Sequence, residues 1–132
     1  MRALIVEDDF TSRLLLQKLL APYGESHVAV NGREALEAFQ TARQNQQPYD
    51  LICLDIMMPE MDGQTVLKEV RSLEEAAGIQ PGCGVKILMT TALKDPQNVM
   101  TAFRELCDGY LVKPIDKAKL LKYFKEQGLI SL

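Results

Sequence analysis

Five short apolar runs recur along the chain: ALIV (Ala3–Val6), HVAV (His27–Val30), LICL inside Asp50–Asp55, the stretch Val85–Thr91, and YLV (Tyr110–Val112). Between and after them lie stretches whose apolar residues repeat at three- and four-residue spacing. This alternation constrains the fold more than any other feature. Runs that are short and continuously apolar suit strands buried on both faces of a parallel sheet. Parallel neighbours need a crossover of a dozen or more residues, usually a right-handed helix. The expectation is therefore an α/β domain, five parallel strands covered by helices on both faces.

The helical stretches carry their own start signals. Leu14, Leu15, Leu16, Leu19 and Leu20 follow the first strand and close at Pro22 and Gly24. Asn31 can cap the second helix, with Glu34 three residues on. Asp62 caps a third, holding Val66, Leu67, Val70 and Leu73. Asp95–Pro96 opens a fourth, with Val99, Met100, Phe103 and Leu106, and Asp116 opens a fifth, with Leu120, Leu121 and Phe124. Gly78–Gly84 is the one Gly/Pro-rich stretch and reads as a surface loop.

At 132 residues the chain makes one domain spanning 1–132. No apolar run approaches membrane-spanning length, and the start MRALIVEDD lacks a secretory core, so a cytoplasmic protein is expected. Cys53, Cys83 and Cys107 are odd in number and far apart, which argues against a disulfide framework or a zinc site and for buried or incidental thiols. A net charge of -3 with dispersed lysines disfavours nucleic-acid binding. His27 reads as surface or core filler, and Met57, Met58 and Met61 as packing.

In open parallel sheets ligands bind at the carboxyl ends of the strands, where the strand order reverses. There the first strand ends in Glu7, Asp8 and Asp9, the third in Asp55, the fourth in Thr90 and Thr91, and the fifth in Lys113 before Pro114. These groups would be neighbours in a 2-1-3-4-5 sheet. Converging carboxylates repel: two unit charges about 4 Å apart cost on the order of 4 kcal/mol at a surface-like dielectric. Lys113 supplies one compensating charge, and a hard oxygen-binding divalent ion, Mg2+ best, supplies the rest. Carboxylate, metal, hydroxyl and lysine around one point suit phosphoryl transfer. Asp55 would be the nucleophile, Asp8 a metal ligand, Thr91 a hydrogen-bond donor and Lys113 a neutralising cation. Asp9 and Asp62 are expected to be helix caps or solvated acids.

The motifs LIVEDD, LDIMMPEMDG, LMTTA and GYLVKP, in this order and spacing over essentially the whole chain, resemble the receiver domain of two-component response regulators, in particular its CheY-like single-domain members. The resemblance implies a flavodoxin-like doubly wound sheet of order 2-1-3-4-5 with five helices, a phosphorylation switch, and no output domain. It implies that Asp55 accepts the phosphoryl group, that Asp8, Asp55 and the Met57 backbone carbonyl ligate Mg2+, and that Glu7, standing where Asp is commoner, acts through water. Thr91 and Lys113 would contact the phosphoryl group, Tyr110 would be the aromatic switch residue, and the Lys113–Pro114 bond would be cis. The donor would be a histidine kinase or a histidine phosphotransfer protein. Output would pass to a downstream protein through the fourth helix, fifth strand and fifth helix, from a monomer or a phosphorylation-dependent dimer.

Two features depart from the family pattern: Leu106–Cys107 replaces a usual Gly-Ala pair, and the Gly78–Gly84 loop is long. A dehalogenase-type phosphohydrolase would also use a strand-end Asp, but it wants a second Asp two residues on, where this chain has Met57. A non-phosphorylated interaction module on the same fold would have no need to keep Glu7, Asp8, Asp55, Thr91 and Lys113.

Overall fold

The computed structural model describes residues 1–56, 58, 61–92 and 106–130. Five strands, β1 (Arg2–Val6), β2 (Glu25–Ala29), β3 (Leu51–Asp55), β4 (Lys86–Thr91) and β5 (Gly109–Val112), pair in parallel in the order β2-β1-β3-β4-β5. The described helices are α1 (Phe10–Leu20), α2 (Gly32–Gln44), α3 (Gly63–Ala76) and α4 (Lys117–Glu126), with a 3-10 turn at Ala21–Tyr23. The helix expected from Asp95–Pro96 to Leu106 falls almost wholly outside the described residues.

Every residue of β3 is buried, as its unbroken apolar run requires of a central strand with helices on both faces. Alternate residues feed two cores. Leu4, Val6, Ile52, Leu54, Ile87 and Met89 pack with Phe39 of α2 and with Val66, Leu67 and Val70 of α3. Ala3, Ile5, Leu51, Cys53 and Leu88 pack on the other side with Leu16 and Leu20 of α1 and with Leu120, Tyr123 and Phe124 of α4. The period of two along a strand therefore fixes the face onto which each strand-end residue points.

The expected caps form. Asp9, Asn31, Asp62 and Asp116 each accept a backbone N–H three residues on. The second strand differs from expectation, running from Glu25 to Ala29 rather than from His27 to Val30. Val30 instead donates its N–H to the Glu34 carboxylate, which draws it into the start of α2. The strand gains Glu25 because Arg2 pairs with it across the ladder, at 2.6 Å. Leu14 and Leu15, set with Leu16, Leu19 and Leu20 at helical spacing, are exposed; only Leu16 and Leu20 of that helix are fully buried. No helix among the described residues is long and apolar enough to cross a membrane.

Candidate functional site

The site is built at the carboxyl ends of β1, β3, β4 and β5. Glu7 follows β1, and its N–H donates to Ala29 at 3.1 Å, so the ladder holds it one residue past the strand. Asp55 closes β3. Past it, Gly63 donates its N–H to the Ile56 carbonyl at 3.0 Å. A Cβ on Gly63 would overlap the Asp55 carbonyl, so the first turn of α3 packs against the Asp55 backbone only because this residue lacks a side chain.

Glu7, Asp8 and Asp55 each offer a carboxylate oxygen, and the three lie within 4.8 Å of one another. Glu7 is fully buried and Asp55 nearly so, whereas Asp8 faces solvent. Lys113 bridges them: its ammonium forms an ion pair with Oε1 of Glu7 and lies 3.4 Å from Oδ2 of Asp55. Burial opposes the lysine charge, but the Glu7 bond and the field of Asp55 outweigh it and hold the Lys113 pKa above its ordinary value. Burial, and then hydrogen bonding with Asp55, push the Glu7 carboxyl up, against the pull of Lys113. Among the described residues one lysine pairs with two of the three acids, which leaves a net negative, oxygen-rich set open to solvent at Asp8. The set fits a hard divalent cation that takes a few carboxylates and keeps waters.

Thr91 is the last residue of β4 and fully buried, and its carbonyl accepts from Lys113 N at 2.6 Å. The Lys113–Pro114 peptide is cis, as the resemblance implied. Tyr110 stands on β5 with 40% of its surface exposed. The Met57 carbonyl, expected to be a metal ligand, and Leu93 lie outside the described residues. Asp9 and Asp62 serve as helix caps, as expected.

Sequence reasoning did not foresee Arg13, which donates to the Glu7 carbonyl at 3.2 Å and ties α1 to the loop that carries the acids. A residue six positions on leaves no periodic signal. His27, taken for filler, bonds both Tyr49 Oη and Glu25 Oε1 at 2.8 Å. Cys53 is buried and its thiol pushed up to about 12 by desolvation, Cys107 is partly buried, and Cys83 is exposed. A concavity of about 660 Å³ lies at the other end of the sheet beside Phe39, Tyr49 and Lys86. It has no part in the carboxylate cluster. The charged strand-end cluster, not this hollow, is where chemistry is equipped to occur.

The family model for the response regulator receiver domain matches residues 3–125. The chain belongs to that family. Among curated relatives it is 36% identical over 118 residues to the probable transcriptional regulator ycf27 of Cyanidium caldarium, covering 89% of this chain and 42% of that protein. It is 31% identical to the chemotaxis protein CheY of Bacillus subtilis, covering 92% of each. Against the first of these the receiver domain spans about two-fifths of the relative's length. Among solved structures, the response regulator TrrA of Thermotoga maritima, in complex with Mg(2+)-BeF, superposes with a TM-score of 0.76 at 31% identity, covering 96% of this chain and 97% of that one. Membership implies phosphorylation-dependent two-component signalling, and receiver domains are signalling proteins rather than ordinary enzymes.

Proposed function

We propose that this receiver domain is a switch in which Asp55 accepts a phosphoryl group from the phosphohistidine of a partner kinase or phosphotransfer protein. The observation that carries the reading is the Glu7–Asp8–Asp55 cluster bridged by Lys113 at the strand ends. An Asp55 oxygen attacks phosphorus as the bond to the donor imidazole nitrogen breaks. That nitrogen keeps the electron pair and takes up a proton, so no strong base is required. Asp8, Asp55 and the Met57 carbonyl would hold Mg2+, with Glu7 acting through water, and the ion would supply charge neutralisation at the phosphoryl oxygens.

On this reading the Lys113 ammonium turns from Asp55 to a phosphoryl oxygen, and the Thr91 hydroxyl donates to another. Tyr110, exposed in this state, turns inward in response and alters the face made by β5 and α4. A coupling of roughly 1 to 3 kcal/mol is enough to change the affinity for a downstream protein several-fold or more. Met57 and Leu93, two residues after Asp55 and two after Thr91 in the sequence, are apolar and offer no polar group to orient an attacking water, so the phosphorylated state should outlive the seconds timescale; decay within seconds would contradict this. The test is incubation with acetyl phosphate and Mg2+ followed by intact mass. Wild type should gain one phosphoryl group and Asp55→Asn none, whereas uptake by both would remove Asp55 from its role.

A further inference from the structure

Two threonines end β4, and only Thr91 has a part in the mechanism above. Thr90 is the less expected neighbour of the acceptor. Its Cα is the ladder partner of Asp55 across the β3–β4 pair, and the bond from Ile56 N to Thr90 O, 2.9 Å, locks that register. Ladder partners in a parallel pair point to the same face. Cys53 and Leu88, one alternation earlier, both pack toward α1 and α4, so Asp55 and Thr90 stand side by side on that face. Strands lie about 4.8 Å apart, which brings a threonine hydroxyl within a side-chain rotation of an aspartate oxygen.

Lys113 strengthens the placement. Thr90 pairs on its other side with Leu111, and Lys113 lies two residues further on, just past the end of β5. The lysine must cross β4 to bring its ammonium 3.4 Å from Asp55 and into the ion pair with Glu7, and the residue of β4 beneath that crossing, on that face, is Thr90. A small side chain is needed there for the stem to pass. A hydroxyl is not needed for passage, and it carries a cost: Thr90 is 1% exposed and its Oγ1 has no hydrogen-bond partner among the described residues. Valine has the same shape without a buried orphan, so an unused hydroxyl at this position is a net loss in the resting state.

We propose that Thr90 is a positioning residue of the phosphorylation site, its hydroxyl donating to the Asp55 carboxyl when Lys113 leaves that oxygen for the phosphoryl group. The inference rests on the reading of Asp55 as acceptor. It gives the resting orphan a partner in the loaded state, so the hydroxyl adds to the difference between the two states that defines a switch.

The test compares Thr90→Val and Thr90→Ser with wild type in two measurements: thermal melting without metal, and calorimetric titration with Mg2+ and beryllofluoride, a phosphoryl mimic. Thr90→Val should melt at or above the wild-type temperature yet bind the mimic about fivefold or more weakly, and Thr90→Ser should bind within about twofold of wild type. A purely structural residue could not gain stability and lose affinity in one substitution. Equal affinity of Thr90→Val and wild type would overturn the proposal, as would equal weakening by valine and serine. Melting of Thr90→Val below wild type would overturn it as well, since the hydroxyl would then be bonded already in the resting state. Failure of wild type to bind the mimic at all would instead remove the phosphorylation reading on which the proposal rests.

Discussion

The two ends of the sheet each gather acidic side chains, and they treat them in opposite ways. At the amino end Arg71 of α3 donates to Glu74 Oε1 at 2.6 Å, to Asp108 Oδ2 at 3.1 Å, and to the carbonyls of Val85 and Leu106 at 2.8 and 2.7 Å. Glu74 Oε2 also accepts Val85 N, and Asp108 Oδ2 also accepts Ile87 N, both at 2.8 Å. Each carboxylate there has an aligned cation and a backbone donor. At the carboxyl end, among the described residues, one lysine pairs with two of three clustered carboxylates, and the buried Thr90 hydroxyl has no partner. The first arrangement fastens the chain before β4 and the chain before β5 onto α3. The second stores unfavourable charge that a metal ion and a phosphoryl group can relieve, which is what a binding site must leave undone in the resting state.

Deletions at the two ends should therefore differ in sign. Arg71→Met leaves Glu74 without its cation and Asp108 with only Lys86, 3.9 Å away, and should lower unfolding stability by about 3 kcal/mol, measured in urea. Glu74→Gln, which replaces one acceptor of the Arg71–Val85 pair with an amide N–H, should cost about 2 kcal/mol. Asp8→Asn, by contrast, relieves repulsion at an exposed acid and should raise metal-free stability by a few tenths to about 1 kcal/mol, while abolishing the stabilisation that Mg2+ confers on wild type. A loss of stability on Asp8→Asn would break the contrast between the ends.

The smallest effect is a pH slope. The pKa of Glu7 is raised by burial above its ordinary 4.5, so the folded protein holds that proton more tightly than the unfolded chain. Its contribution is present in full below about pH 4.5 and is lost as pH rises from there through the raised folded value. Metal-free wild type should lose stability over that window relative to Glu7→Gln, whose difference from wild type is read by melting at successive pH values. Parallel curves for the two proteins would show that Lys113 already compensates the buried acid fully.

What was legible in the sequence follows the same division. Strand-end chemistry is local: a strand's apolar run places its last residue, so Glu7, Asp8, Asp55, Thr91 and Lys113 could be brought together from the alternation alone, and the caps at Asn31, Asp62 and Asp116 from spacing. The amino-end network was not legible. Arg71, Glu74, Val85, Leu106 and Asp108 come from separate elements, and no periodicity links an arginine to a carbonyl 35 residues away. Both departures from the family pattern meet there: the long Gly78–Gly84 loop abuts Glu74, since a Cβ on Gly84 would strike its carboxylate, and Leu106, in place of glycine, gives its carbonyl to Arg71. Thr90 was visible as a strand-end residue, but its orphaned hydroxyl needed side-chain placement to be seen. Leu14 and Leu15 misled because a run of leucines fits helical spacing on more than one face, and only the core decides which face is buried.

The central claim is that the phosphoryl group resides on Asp55 itself. It is tested most directly by treating the protein with acetyl phosphate and Mg2+, reducing the acyl phosphate with borohydride to homoserine, and locating that residue by tandem mass spectrometry. Homoserine at position 55, and at none of positions 7, 8, 9 or 62, is the expected result. Homoserine at any of those other acids, or none in protein that has gained a phosphoryl group, would contradict it.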